Sequence, residues 1–155
     1  MRGFLLDDLF RRTGGHHLST GFSTFESVIP VRPDDIDMNR HVHNSKYLDY
    51  VLAARYDQME RCYRMPMSDF VERGFSWFVK VAHIEHRREL FLGDRARIRT
   101  RVSKLEKRSC FVEFEILRDE NSKLVAEGWF EYTMVSIANG RAVEIPEDIV
   151  AAYSV

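Results

Sequence analysis

The sequence predicts an α+β fold, a five- to six-stranded antiparallel sheet packed around one long central helix. Three observations carry that expectation. A strand-like stretch opens the domain, a single long run at helical spacing follows, and four strand-like stretches then succeed one another without an intervening helix. That order argues against a doubly wound parallel sheet, which needs a crossover helix between neighbouring strands.

Residues 1–21 hold a short amphipathic piece, Phe4 to Phe10, and the soft stretch Thr13-Gly14-Gly15-His16-His17. They read as a flexible N-terminal arm ahead of a domain over residues 22–155. From residue 22 to 31, Phe25, Ser27, Ile29 and Val31 alternate with Thr24, Glu26 and Val28, so the first strand buries one face and stops before Pro33. After a polar turn, Tyr47, Leu48, Val51, Leu52, Arg55, Tyr56 and Met59 recur at helical spacing. Asn44 or Ser45 is placed to cap this helix, because either side chain can accept from a first-turn amide. Pro66 closes the segment, and residues 67–74 read as a short helix stopped by Gly74.

Strands are expected over residues 75–88, 94–108, 109–119 and 123–137. In the second of these, Ala96, Ile98, Thr100 and Val102 alternate with Arg95, Arg97, Arg99 and Arg101, which sets a buried face against a basic stripe. Asp119 to Ser122 and Asn139-Gly140 are turn signals, and a last short helix is expected after Pro146.

Composition narrows the function classes. A chain of 155 residues suits one compact domain. A net charge of −1 argues against nucleic acid as the main partner, since phosphate binding shows as a basic excess. No apolar run reaches the length of a membrane span, and Asp7 and Asp8 interrupt the apolar start before a signal-peptide core forms, so no membrane partner and a cytoplasmic location are expected. Cys62 and Cys110 stand far apart and match neither a disulfide framework nor a zinc-ligand spacing; both read as buried small residues.

The densest polar cluster, Asp34, Asp35, Asp37, Asn39, Arg40, His41, His43 and Asn44, lies just before the long helix. Helix N-terminal amides stabilise negative charge, so an acyl carbonyl placed there can develop into an oxyanion while a neighbouring carboxylate attacks it or activates water. The ordinary alternative is that these acids cap the helix and complement its dipole.

The run from Asp35 to Tyr47, DIDMNRHVHNSKY, resembles the signature D-x-D-x-x-G-H-V-N-N-x-x-Y of the 4-hydroxybenzoyl-CoA thioesterase-like family of hotdog folds. Leu48, Tyr50, Ala54 and Arg55 match the continuation of that family's helix, and Gly93-Asp94 resembles its turn into the next strand. The resemblance spans nearly the whole domain. It implies hydrolysis of an acyl-CoA, aroyl-CoA or acyl-carrier thioester, with Asp37 as nucleophile or general base and the backbone amide of Asn44 polarising the carbonyl. Ser45 or Lys46 adds a second donor on this reading, and His41 is carried as a further catalytic candidate, against a structural hydrogen bond as its plainer role. Tyr47, Ser45, Lys46, Arg40 and His43 become candidate substrate contacts.

Two positions depart from the family: Arg40 replaces its glycine and His43 the first of its two asparagines, and either can reshape the pocket. No cofactor is implied beyond the coenzyme A of the substrate. Self-association as a dimer or tetramer is expected, with the site at the subunit interface. Reading His41, His43, His83 and His86 as metal ligands supplies no dependable set, so no metal is expected. Arg87, Arg88 and the arginine stripe suit either coenzyme A phosphates or cross-strand pairing with Glu113 and Glu115, the latter favoured for most of the stripe. The rival functions are a non-catalytic acyl-binding or assembly module and a hotdog dehydratase, whose usual aspartate–histidine spacing is absent.

Overall fold

A computed structural model describes residues 21–155; the expected arm, Gly21 apart, lies outside them. The order is β1 (Thr24–Pro30), a 3-10 turn (Pro33–Asp35), α1 (Lys46–Arg61), α2 (Met67–Glu72), β2 (Phe75–His86), β3 (Arg95–Leu105), β4 (Ser109–Arg118), β5 (Leu124–Ser136) and α3 (Glu147–Tyr153). The five strands form one sheet in the order β1-β3-β4-β5-β2, and every neighbouring pair is antiparallel. Among the described residues no helix is long and apolar enough to cross a membrane.

Alternation decides which face each strand buries. Ser27 pairs with Ile98, Ile98 with Ile116 and Ile116 with Ala126, so buried residues line up across four strands on one face. The 16-residue α1 packs Tyr47, Tyr50, Val51 and Ala54 onto that face against Ala96, Ile98, Phe114 and Phe130. Each such fully buried large side chain contributes about 1.5–3 kcal/mol. At the far end of α1, Met59 and Tyr63 join Phe70 of α2 and Ile149 and Tyr153 of α3 in a second cluster.

Polar groups between α1 and the sheet are bonded to one another. Gln58 donates to Ser27 at 3.2 Å and accepts from Thr100, and Ser27 donates to Asp57. Gly128 meets the sheet where a larger residue cannot: a Cβ there would overlap the His83 carbonyl and the Phe114 ring.

The basic stripe lies on the opposite face and is largely paired. Arg101 meets Glu113 at 2.6 Å, and Arg99 lies between Glu26 at 3.2 Å and Glu115 at 3.3 Å. Such pairs contribute little stability each, but they set a carboxylate beside each of these two guanidinium groups.

Candidate active site

The loop between β1 and α1 is a small closed structure. Ile36 and Val42 form an antiparallel bridge, Asp37 N–H donates to the His41 carbonyl at 3.1 Å, and Arg40 N–H donates to the Asp37 carbonyl at 3.0 Å. Buried Val42 fixes the loop to the segment after β2 by donating to the Leu90 carbonyl at 2.8 Å. The turn is completed by Arg40, whose φ of 65° is left-handed. Arginine therefore keeps the backbone conformation that glycine adopts most readily. Its side chain is exposed.

The two aspartates of the D-x-D pair have separate surroundings. Asp35 is buried; its carboxylate accepts from the Tyr50 hydroxyl at 2.6 Å, from the Arg32 backbone amide at 3.1 Å and from the Arg32 guanidinium at 3.4 Å. Burial acts to raise the Asp35 pKa, but the Tyr50 hydrogen bond and the Arg32 contacts outweigh it and hold the carboxyl below its usual value. The same burial and hydrogen bond push the Tyr50 phenol up. Asp37 is half-buried, and its Oδ1 accepts the Asn39 backbone amide at 2.8 Å.

The start of α1 differs from the expected cap. Ser45 is already helical and makes no side-chain cap; His43 serves the first amides instead. The His43 carbonyl accepts from Lys46 N–H at 2.9 Å, and its Nδ1 accepts from Ser45 N–H at 3.2 Å while lying 2.8 Å from the Ser45 hydroxyl. The imidazole takes the Ser45 amide and the backbone carbonyl of the same residue takes the Lys46 amide, in place of the Asn44 or Ser45 side chain. The Ser45 and Lys46 amides are thus occupied, whereas Asn44 N–H has no acceptor among the described residues.

A cavity of about 410 Å³ opens here, lined by Asp37, Asn39, His41, Val42, His43, Asn44 and Tyr47, and by His86 to Glu89 from the end of β2. Arg40, Ser45 and Lys46 are not part of this lining, and Lys46 lies 3.9 Å from Asp49. Tyr47 forms a buried wall: its hydroxyl accepts Leu90 N–H at 3.0 Å and its ring meets His86 edge-on at 5.0 Å. His41 contacts its neighbour's carbonyl, 3.3 Å from Val42 O, and meets Phe91 edge-on.

The sequence offered Arg87 and Arg88 as contacts for coenzyme A phosphates and His86 only as a metal ligand; it did not place them, with Glu89, on the wall of the cavity that holds Asp37. For His86 the signal is the strand register, which sets it opposite Ala126 on the α1 side of the sheet and His83 opposite Trp129, stacked, on the other. Among the described residues no group of three or more histidine, cysteine or acidic side chains is arranged to hold a metal.

Comparison with known proteins follows the same lines. The model of the thioesterase-like superfamily matches residues 31–153. The long-chain acyl-CoA thioesterase FadM of Escherichia coli (strain K12) is 21% identical over 124 residues, 80% of this chain and 92% of that protein. Among solved structures, the hypothetical protein TT1821 from Thermus thermophilus is 31% identical with a TM-score of 0.77, over 83% of this chain and 96% of that one. A DHNA-CoA thioesterase from Staphylococcus aureus is 17% identical with a TM-score of 0.79, over 84% of this chain and 89% of that one. The chain belongs to the thioesterase-like superfamily, and its enzyme class is thioester hydrolase.

Proposed function

We propose that this thioester hydrolase cleaves an acyl- or aroyl-CoA to the free acid and coenzyme A, with Asp37 at the reaction centre of a hotdog domain built around α1. The observation that supports this most is one cavity holding both the Asp37 carboxylate and the unoccupied Asn44 amide. A thioester carbonyl set against Asn44 N–H gains charge stabilisation as its oxygen becomes an oxyanion, aided by the helix dipole. Asp37 then either attacks the carbonyl carbon and forms a mixed anhydride that water opens, or takes a proton from the water that attacks. In both routes the carbon–sulfur bond breaks and the thiolate leaves.

Arg88 supports coenzyme A as the carrier. It lines the cavity, donates to the Leu124 carbonyl at 2.8 Å and has no carboxylate partner among the described residues, so its charge is available to a phosphate. Arg87 is tied to Glu85 and Glu127, each at 2.6 Å.

An open sheet edge supports self-association. β2 is an edge strand with exposed Phe78 and Val79 on it, and pairing it with a second copy would cover that edge.

The test is thiol release by the wild-type protein from aroyl-, medium-chain and long-chain acyl-CoA. Turnover of at least one class is expected; inertness toward all of them contradicts the proposal. Mass spectrometry of protein quenched in the first turnover separates the routes, because an acyl group on Asp37 appears only in the nucleophilic one.

A further inference from the structure

A second cavity, of about 190 Å³, lies farther along α1, between the helix and the inner faces of β2 and β5. Leu52, Met59, Trp77 and Tyr132 give it an apolar wall, and Arg55 lines it too. Arg55 is buried, with 6% of its surface exposed, and among the described residues no carboxylate lies within 4 Å of it. Its guanidinium donates to Thr100 Oγ1 at 3.2 Å and stands over the Tyr63 ring, 5.3 Å from its centre.

The groups around Arg55 are neutral at physiological pH. Burial pushes the Cys110 thiol and the Tyr132 phenol each up to about 12, and it raises the phenols of Tyr63 and Tyr153 as well. A buried cation without an anion is costly, and natural interiors compensate it with a partner. The cavity holds a second polar group in the same condition: the buried Tyr153 hydroxyl has no hydrogen-bond partner among the described residues. A charged group and an unpaired hydroxyl thus lie in a slot whose other walls are largely apolar.

We infer that this slot receives the far end of the substrate's acyl chain and that the chain ends in a carboxylate, which pairs with Arg55 and accepts from Tyr153. The inference rests on the acyl thioesterase reading and narrows its substrate class. Reach agrees with it. Tyr47 lines the first cavity, and Arg55 lies about 12 Å farther along the helix axis, a span of on the order of ten carbon–carbon bonds. Between them, half-buried Leu48, one turn before Leu52 of the second cavity's wall, offers apolar contact to the intervening methylenes.

The test compares three CoA thioesters of equal chain length, on the order of ten carbons: one ending in a methyl group, one in a carboxylate and one in the methyl ester of that carboxylate. The wild type is expected to favour the carboxylate over both others by at least about tenfold in kcat/KM, since each factor of ten is only about 1.4 kcal/mol of pairing. In Arg55→Met that ratio falls toward one, and Arg55→Lys restores part of it. Should either variant fail to fold, competitive inhibition of the wild type by the free dicarboxylate, and weaker inhibition by its monoester, supports the same assignment. Equal or faster turnover of the methyl-ended substrate overturns the inference and leaves the thioesterase reading standing. Turnover of none of the three chains, nor of any other acyl-CoA, removes both.

Discussion

Asp35 and Asp37 are the same side chain two residues apart, and the loop before α1 treats them in opposite ways. On its inner wall, Asp35 is buried and its carboxylate is filled by Tyr50 and Arg32. On its outer lip, Asp37 keeps a half-exposed carboxylate that accepts one backbone amide, from Asn39, and borders the cavity. Saturated hydrogen bonding makes a carboxylate a fixed structural anchor. A carboxylate with spare lone pairs beside an unpaired amide is available for chemistry. The contrast teaches that one aspartate holds the geometry in which the other is proposed to work.

Replacing the anchor is expected to have the largest effect on stability. Asp35→Asn keeps the shape and removes the charge that Tyr50 and Arg32 serve, so unfolding free energy should drop by about 1.5–3 kcal/mol in urea titration. The loss should depend on pH. Because the folded carboxyl is held below its unfolded value, its contribution is present above ~3.9 and vanishes as pH falls through the folded pKa. The gap between wild type and Asp35→Asn should therefore narrow in acid; a gap independent of pH would contradict the anchoring role. Tyr50→Phe, which removes one donor from that carboxylate, should cost about 1 kcal/mol by the same measurement.

Smaller effects belong to the lip. Arg40→Gly relieves a left-handed arginine at the expense of a more flexible unfolded chain, for a net gain below about 1 kcal/mol, visible as a raised Tm. Asp37→Asn should change stability by no more than about 0.5 kcal/mol, since the carboxylate is half-exposed and asparagine can still accept from Asn39. A large loss at Asp37 would erase the distinction between wall and lip.

Much of this was legible in the sequence because it follows from local pattern. Alternation in β1 and β3, the helical repeat through Met59, and the stops at Pro66 and Gly74 all depend on neighbours in the chain, and each appears where expected. The D-x-D spacing marked the loop. It did not show that the His43 carbonyl and imidazole take the Lys46 and Ser45 amides, leaving Asn44 N–H without an acceptor among the described residues, because the local backbone path and one imidazole's direction decide that. Nor did it show how Arg40 would be accommodated, since a left-handed non-glycine residue is imposed by the surrounding hydrogen bonds. His86 reaches the cavity through strand register across the sheet, and Arg87 to Glu89 through the segment that follows β2. Arg55 fell on the apolar repeat of α1 in the sequence, and only the packing of Tyr63, Tyr132 and Cys110 around it shows a buried cation with no carboxylate partner among the described residues.

The central claim is that Asp37 is the reacting carboxylate and Asp35 its support, and one measurement addresses it most directly. Thiol release from the best acyl-CoA substrate is measured for wild type, Asp37→Asn and Asp35→Asn, at a temperature where all three are folded. Removal of a general base or nucleophile should lower kcat for Asp37→Asn by about 10²- to 10⁴-fold, while Asp35→Asn retains substantially more activity despite its lower Tm. Wild-type turnover by Asp37→Asn, or a greater loss of activity in folded Asp35→Asn, would contradict it.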